Sequence, residues 1–586
     1  MKAVQINSLK QYNRLRENRR EFVPVIISDN LIFVGPSYRQ GQTNSCLGCL
    51  LNSLKDNDSA YYPLLTVLLS DTHKPYTNRT MTLENDLVMS YEEDTQNKFH
   101  IINRGNMSVK SYPVYQHPAC EICERKEKAE DILKKIRYDY VFNERFREKS
   151  PEDIMNVIDG FKSLINPHTG IGQYLLRDVD AKIMPMYFIK SDLAGREFYS
   201  YGRTSDLQNS KYAAIFEMLE RYASMVPHNR DCLFGSYNDL IKDGQEVISP
   251  MRLNIPESML APGYGNYSDD RKYRWKKVLE INSGSFVYLP EQAIYYESQL
   301  ISKEKRFVYE TSNGCALGGS LEEAIVYALF ELVERDSFLV HWYNHIAPIK
   351  LDVSTLQNDN ISRLVRYMEN KGFRVHIFDI TMETNIPTIW AAVVDEDFNG
   401  KVKCYNAAGA HINPEKALEG ALVEVITSVF VYNNILESGK NIDLTKALEG
   451  APDKVLNMED HVYFYANKKN FSYIEKFYEN DVVLDFKQAF ASWYQRKNSN
   501  YNFKDILDRV SLYHKEIYVS YLYTEVNKKL GLECVKVIIP SMLTMTFGNG
   551  NKRINYERVQ KGPVLSGIRC NPIAIDDIYD IPHPFP

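Results

Sequence analysis

The chain predicts a mixed α/β body of the α+β kind preceded by a small cysteine-bearing domain. Three observations carry that expectation. β-Branched runs such as FRVHIFDIT (373–381) and CVKVIIP (534–540) are interspersed with long apolar helical patterns. The texture shifts near residue 150, where SPEDIMNVIDGFKSL opens with a Ser-Pro-Glu-Asp helix-entry signal. Four of the nine cysteines fall in two Cys-x-x-Cys pairs ahead of that shift. The expected units are therefore 1–150 and 151–586.

Taken in order, VPVIISDNLIFVG reads as strand, Gly41 to Cys49 as a polar turn, and 76–108 as irregular. ERKEKAEDILKKIR reads as a solvated, charged helix. Helices are predicted over 211–225, 320–343 and 413–438 from their apolar periodicity. PTIWAAVVDE (387–396) and KEIYVSYLYTE (515–525) read as strands alongside the two runs above. The Asn/Lys-rich stretch 440–515 reads as a surface excursion. The chain closes on PHPFP, a stiff, extended tail that could enter a cleft or fray.

Apolar residues make up 44% and charged residues 25% of the 586, so a packed core is expected. A formal charge of −6 excludes bulk electrostatic binding to nucleic acid. No apolar run approaches the ~20 residues of a membrane helix, and the first residues lack a signal core, so a cytoplasmic chain is expected. Nine sparse cysteines make a disulfide framework improbable there.

Glu-x-x-Glu-Arg occurs twice, as Glu217, Glu220, Arg221 and as Glu331, Glu334, Arg335. In a helix each motif gathers its charges on one narrow face. The surrounding residues are apolar, so both helices should be buried. Like charges in low dielectric need neutralising. Mg²⁺ bridging carboxylates to a triphosphate is a charge-balanced solution; surface stripes with internal ion pairs are the alternative. Glu323 lies about two turns before Glu331. The TSNGCALGGS loop, with Ser312 and Asn313, could offer backbone N–H groups to phosphate or form a plain turn. Arg203 and Lys211 precede the first motif as candidate phosphate contacts. No P-loop pattern occurs. Cys46, Cys49, Cys120 and Cys123 follow the grammar of a closed structural zinc site, with a redox pair as the alternative.

Together these residues resemble the YcaO-domain family, and more narrowly the D protein of azoline-forming cyclodehydratases. The likeness covers about 151–586 and rests on GRT, EMLERYAS, TSNGCALGGSLEEAIVYALFELVERDSF, ALVEVITS, CVKVIIPSM and PHPFP. IFVGPSYRQGQTNSCLGCL and YPVYQHPACEICERK resemble the zinc-bearing end of a ThiF-like C protein. The resemblance implies ATP-dependent conversion of Cys, Ser or Thr in a ribosomally made precursor peptide into thiazoline or oxazoline rings. Related chemistry, thioamide or amidine formation, is a second possibility, and a non-catalytic scaffold a third. Glu217, Glu220, Glu323, Glu331 and Glu334 would hold Mg²⁺-ATP, supported by Arg221 and Arg335. Arg203 stands where the family often has Lys. Glu424 opens an Glu-x-x-Gln motif in which Thr427 replaces Gln. Pro582, Pro584 and Pro586 would bring a carboxylate to the reaction. The short front block implies a separate leader-binding, ThiF-like partner. A homodimer fits the family, and whether a flavin-dependent dehydrogenase follows is open.

Overall fold

A computed structural model describes the chain apart from residues 1, 19–20, 40–43, 73–94, 124–127, 157–160, 229–230, 257–262, 399, 497–500 and 586. Near its start, β1 (Lys2–Gln5), β2 (Phe22–Ile27), β3 (Leu31–Val34), β4 (Lys98–Asn103) and β5 (Val109–Pro113) form one sheet in that order. β1 runs parallel to β2 and the other pairs are antiparallel. β4 corrects the expectation that 76–108 is irregular throughout, and 76–94 of that stretch lie outside the described residues. Phe99, Ile101 and Ile102 supply the apolar positions, and Phe99 stacks on Phe33 at 5.8 Å. Helix α1 (Leu47–Asp56) packs on this sheet with Cys46 at its N-cap, so the expected turn gives way to helix from Leu47 onward. Among its described residues the charged run contributes a short helix, Ala129–Leu133, whose two ends are buried. It is thus a packing element as well as a solvated one.

β6 (Tyr174–Asp178), β7 (Met186–Leu193) and β8 (Arg196–Arg203) form an antiparallel meander. Helix α2 (Leu207–Met225) lies against it, capped by Asp206. Their approach is close: a Cβ on Gly202 would stand 1.9 Å from the Ser210 carbonyl oxygen. Only glycine permits that contact.

β9 (Leu233–Gly235), β10 (Tyr273–Glu280), β11 (Ser285–Pro290) and β12 (Cys315–Gly318) belong to a second large sheet. Helix α3 (Leu321–Tyr343) follows. β13 (Ile349–Asp352), β14 (Phe373–Asp379), β15 (Thr388–Asp395), β16 (Cys404–Ala410) and β17 (Val483–Asp485) make a third sheet, order β16-β15-β14-β13-β17. Helices α4 (Pro414–Glu437) and α5 (Met458–Ala466) lie between β16 and β17 in the chain. β18 (Tyr518–Tyr521) and β19 (Glu533–Ile538) return to complete the second sheet, order β11-β10-β18-β19-β12 with β9 beside β10. The strand and helix expectations for 211–225, 320–343, 413–438, 373–381, 387–396 and 534–540 all fall on these elements.

α3 spans two cores. Its first half packs Ala324, Ala328 and Leu332 with Val535 and Val537 of β19. Its second half packs Phe338 and Trp342 with Trp390 and Val393 of β15 and with Val425 of α4. Burying side chains of this size contributes about 1.5–3 kcal/mol each. The polar stripe at 331–335 therefore sits where the two cores meet. Residues 440–515 are no surface excursion. Phe464, Tyr465, Phe477 and Tyr478 are buried in the larger core, while Lys468, Lys469 and Glu475 face outward and give the stretch its polar composition. The tail does not fray, since Pro582 to Phe585 are buried.

Candidate functional site

The acidic side chains of α2, α3 and α4 converge. On α2, Glu217 Oε1 pairs with Arg221 Nη2 at 2.7 Å, and its Oε2 accepts the Tyr201 N–H of β8 at 2.7 Å. One turn on, Glu220 Oε2 accepts the Leu317 N–H of β12 at 3.2 Å. Ser320 caps α3, and Glu323 in its first turn pairs with Arg147 Nη1 at 2.8 Å while accepting the Glu148 N–H. Farther along α3, Glu331 accepts the Gly314 N–H at 3.1 Å, and Glu334 stands 3.4 Å from Arg335 Nε. From α4, Glu424 lies 3.7 Å from Arg203 Nη1, which also donates to Ser428 Oγ at 3.0 Å.

These groups form a closed electrostatic ring. Burial first, then the charges of Glu331 and Glu217, push Glu220 up to about 8. Burial, then Glu424 and Glu331, push Glu334 up to about 8 against the pull of Arg335. Burial also raises Glu331. Carboxylates outnumber guanidiniums, and Arg335 Nε is buried without a hydrogen-bond acceptor. Surplus carboxylate oxygens suit a hard divalent cation, and a guanidinium N–H that is ion-paired with Glu334 but not hydrogen-bonded suits a phosphate oxygen. The residues present thus fit Mg²⁺ and a polyphosphate.

The ring opens on a cleft of ≈ 890 Å³ lined by Glu217, Glu220, Glu323, Arg147, Lys149, Phe216 and Gly319. That volume suits a small-molecule site. Arg147 and Lys149 escaped the sequence reading because they lie in an irregular stretch far from the glutamates. Arg147 also sits over the Tyr327 ring at 3.8 Å. Lys536 escaped too. Its ammonium, buried within β19, contacts Glu310 Oε1 and the carbonyls of Thr311 and Asn313. A lysine inside an otherwise apolar strand was the available signal.

Other expected residues are set to different tasks. In the 311–315 loop, the Asn313 N–H donates to Thr311 Oγ1 and the Cys315 N–H to the Ser312 carbonyl. Asn313 Nδ2 donates to the Met545 carbonyl. The loop therefore braces Glu331 through Gly314. Lys211 stands outside the cleft lining, 5.4 Å above the Tyr187 ring. Thr427 Oγ1 donates back to the Val423 carbonyl at 2.7 Å and adds nothing to the ring. Pro582 and Pro584 are buried, and Pro586 lies outside the described residues.

The two Cys-x-x-Cys pairs meet although 74 residues separate them. All four sulfurs lie within 4.8 Å of one another, with separations such as 3.2 Å for Cys49–Cys123 and 3.9 Å for Cys46–Cys49. A tetrahedron of Zn–S bonds at ~2.3 Å has edges of ~3.8 Å. The Ile122 and His117 N–H groups donate to Cys120 and Cys49 sulfurs, as outer partners of a thiolate metal site do. The cluster can hold a metal ion.

A family model described as YcaO cyclodehydratase, ATP- and Mg²⁺-binding, matches residues 201–543. The chain belongs to the YcaO family. The match runs from β8 through β19 and takes in all the converging glutamates on α2, α3 and α4. An uncharacterized protein of Methanothermobacter thermautotrophicus is 25% identical over 235 residues, 39% of this chain and 56% of the relative. The chain's match thus spans about half the length of that relative. Among solved structures, a heterocyclase in complex with substrate and cofactor superposes with a TM-score of 0.70 at 20% identity, over 98% of this YcaO chain and 79% of its own. The heterocyclase TruD superposes at 0.59 and 18% identity, over 100% and 79%. Both likenesses are of fold. Among the described residues no helix is long and apolar enough to cross a membrane.

Proposed function

We propose that this YcaO chain is the ATP-consuming subunit of a peptide cyclodehydratase. It would form thiazoline and (methyl)oxazoline rings from Cys, Ser and Thr of a ribosomally made precursor. The observation that carries the reading is that Glu217, Glu220 and Glu323 line one cleft while Glu331, Glu334 and Glu424 are electrostatically coupled to one another and, through Glu331, to Glu220. Residues 1–150 are read as a ThiF-like segment with a structural zinc site, and 151–586 as the catalytic domain.

In the proposed reaction a side-chain sulfur or oxygen attacks the preceding amide carbonyl. The nucleophile gives up its proton in the attack, the resulting alkoxide oxygen takes the γ-phosphoryl group of ATP with ADP leaving, and loss of the amide N–H proton as the C–O bond breaks releases phosphate and closes the C=N bond. Bound Mg²⁺ supplies charge stabilisation on the transferring phosphoryl group. Glu220, Glu331 and Glu334 offer the oxygens that would hold it. Arg335 and Arg203 face the same ring and would bind phosphate oxygens, while the cleft walls at Phe216 and Leu317 supply an apolar surface for the base. Leader recognition is assigned to a separate protein.

Incubating the chain with precursor peptide, leader-binding partner and Mg-ATP should remove the mass of one water per ring, with one ATP consumed. ATP consumption with unchanged peptide mass would count against the reading. A sulfur-for-oxygen mass gain would reassign the chemistry to thioamide formation. Calorimetry with Mg-ATP separates a scaffold from an enzyme, because a scaffold binds none.

A further inference from the structure

A second cavity, of ≈ 320 Å³, shares no lining residue with the cleft of the charged ring. Pro118 and Glu121 of the cysteine-bearing loop line it on one side, and Pro227, Cys232, Arg274 and Glu291 line it from the body that carries the ring. Arg274 and Lys276 lie two residues apart on β10 and so share a face of that strand. Glu291 follows directly on β11.

The walls carry charge and yet leave hydrogen bonds unmade. Glu291 is 3% exposed, and its Oε1 has no hydrogen-bond partner among the described residues. Arg274 Nε stands 3.3 Å from Glu304 Oε1 as an ion pair, but it too makes no hydrogen bond among them. Arg274 Nη1 donates to Cys232 Sγ at 3.8 Å, a weak acceptor. Buried groups of this kind are seldom left unpaired in a folded protein. Burial pushes Glu291 up to about 7, against the pull of Lys276 and then Arg274, so a cation placed on it would relieve the conflict.

The unmade bonds describe the missing guest. Glu291 Oε1 asks for a donor and Arg274 Nε for an acceptor. Lys276 and Arg274 already stand against Glu291 and Glu304, so the guest needs no net charge. Hydrogen bonds between charged groups are the stronger ones in such a setting. An ammonium and a carboxylate on one small molecule meet both demands. Pro118, Pro227 and Ile301 leave an apolar wall for what lies between or beside them. The volume stands at the small end of ligand sites.

We propose that this cavity binds a free α-amino acid with an apolar side chain, its ammonium on Glu291 and its carboxylate on Arg274. The inference goes beyond the nucleotide reading of the ring and does not depend on it. A bound amino acid would also tie the 118–121 loop to the body that carries the ring.

The test is calorimetry on the full chain with L-leucine and with its two halves. One half, 4-methylpentanoate, lacks the ammonium; the other, 3-methylbutylamine, lacks the carboxylate. L-leucine should bind, and each half should bind at least about tenfold more weakly, as loss of a hydrogen bond between charged groups would give. Glu291→Gln should bring L-leucine down to the affinity of 4-methylpentanoate, and Arg274→Gln down to that of 3-methylbutylamine. Ordinary damage to packing would instead weaken the amino acid and both halves together, and that result overturns the assignment. Cys232 lines the cavity, so L-leucine should slow its alkylation by iodoacetamide while leaving the exposed Cys570 unaffected. Binding of L-leucine weaker than about 1 mM overturns the proposal. So does equal affinity for L-leucine and its halves, or affinity that neither substitution changes.

Discussion

Glu334 illustrates how the ring is built for something other than stability. It is held near Glu331 and Glu424 in a buried setting and pushed up to about 8. A side chain optimised for folding would not stay ionisable there. Replacing it by Gln keeps the shape and removes the like-charge conflict. Glu334→Gln should therefore leave Tm unchanged or raise it, while weakening Mg-ATP by about a hundredfold or more, the upper range for disturbing a metal's ligand shell. Thermal unfolding and calorimetry on the same sample check both halves. A variant that loses Tm and keeps nucleotide affinity would show that Glu334 is a structural acid. Glu323 differs, because Arg147 already pairs with it and the Glu148 N–H caps its second oxygen.

At the scale of elements, α2, α3 and α4 were legible because two charged triplets interrupt otherwise apolar helical patterns. Placing them at one cleft was not legible. It depends on β8, β12 and the 311–315 loop, each of which donates a backbone N–H to one of the glutamates. Arg147 meets Glu323 across 176 residues, and Trp342 meets the tail across 239. No local pattern reports such pairs. The stretch 440–515 failed differently, because its surface lysines and asparagines outnumber the aromatic residues that α5 and its neighbours bury. The cysteine pairs were legible from spacing alone, and their closeness makes a staple between α1 and the 118–123 loop. Cys120→Ser should abolish bound zinc by elemental analysis and speed amide exchange in β4 and β5. It should leave Kd for Mg-ATP within about twofold, because effects at well-separated sites are usually independent. Loss of nucleotide binding together with zinc would show the two parts to be one cooperative unit.

Over the whole molecule, buried titratable groups set opposing pH slopes. Burial lowers His341 and His461 to about 4 and His411 to about 3, from an ordinary 6.5. The unfolded chain then binds protons that the native state refuses, so stability falls as pH drops from about 6.5 toward 4. Glu383 adds to this at lower pH. Burial pushes it up, but the His514 hydrogen bond and the Arg558 charge bring it down to about 2, so its contribution is lost as pH falls below its ordinary 4.5. Glu220 and Glu334, at about 8, and Glu291, at about 7 through burial, act the other way. For them the native state holds the extra protons, and stability declines as pH rises from about 4.5 through 8. The metal-free chain should therefore be most stable on the acid side of neutrality, between about pH 5 and 6.5, with Tm falling on both sides. Mg-ATP should flatten the alkaline side, because cation-bound glutamates no longer need their protons. Thermal scans across pH, with and without Mg-ATP, test this directly. A Tm that keeps rising from pH 6.5 to 8 in the metal-free chain would mean that Glu220 and Glu334 are ionised and already balanced, and that the ring is a finished salt-bridge network rather than a site awaiting cations.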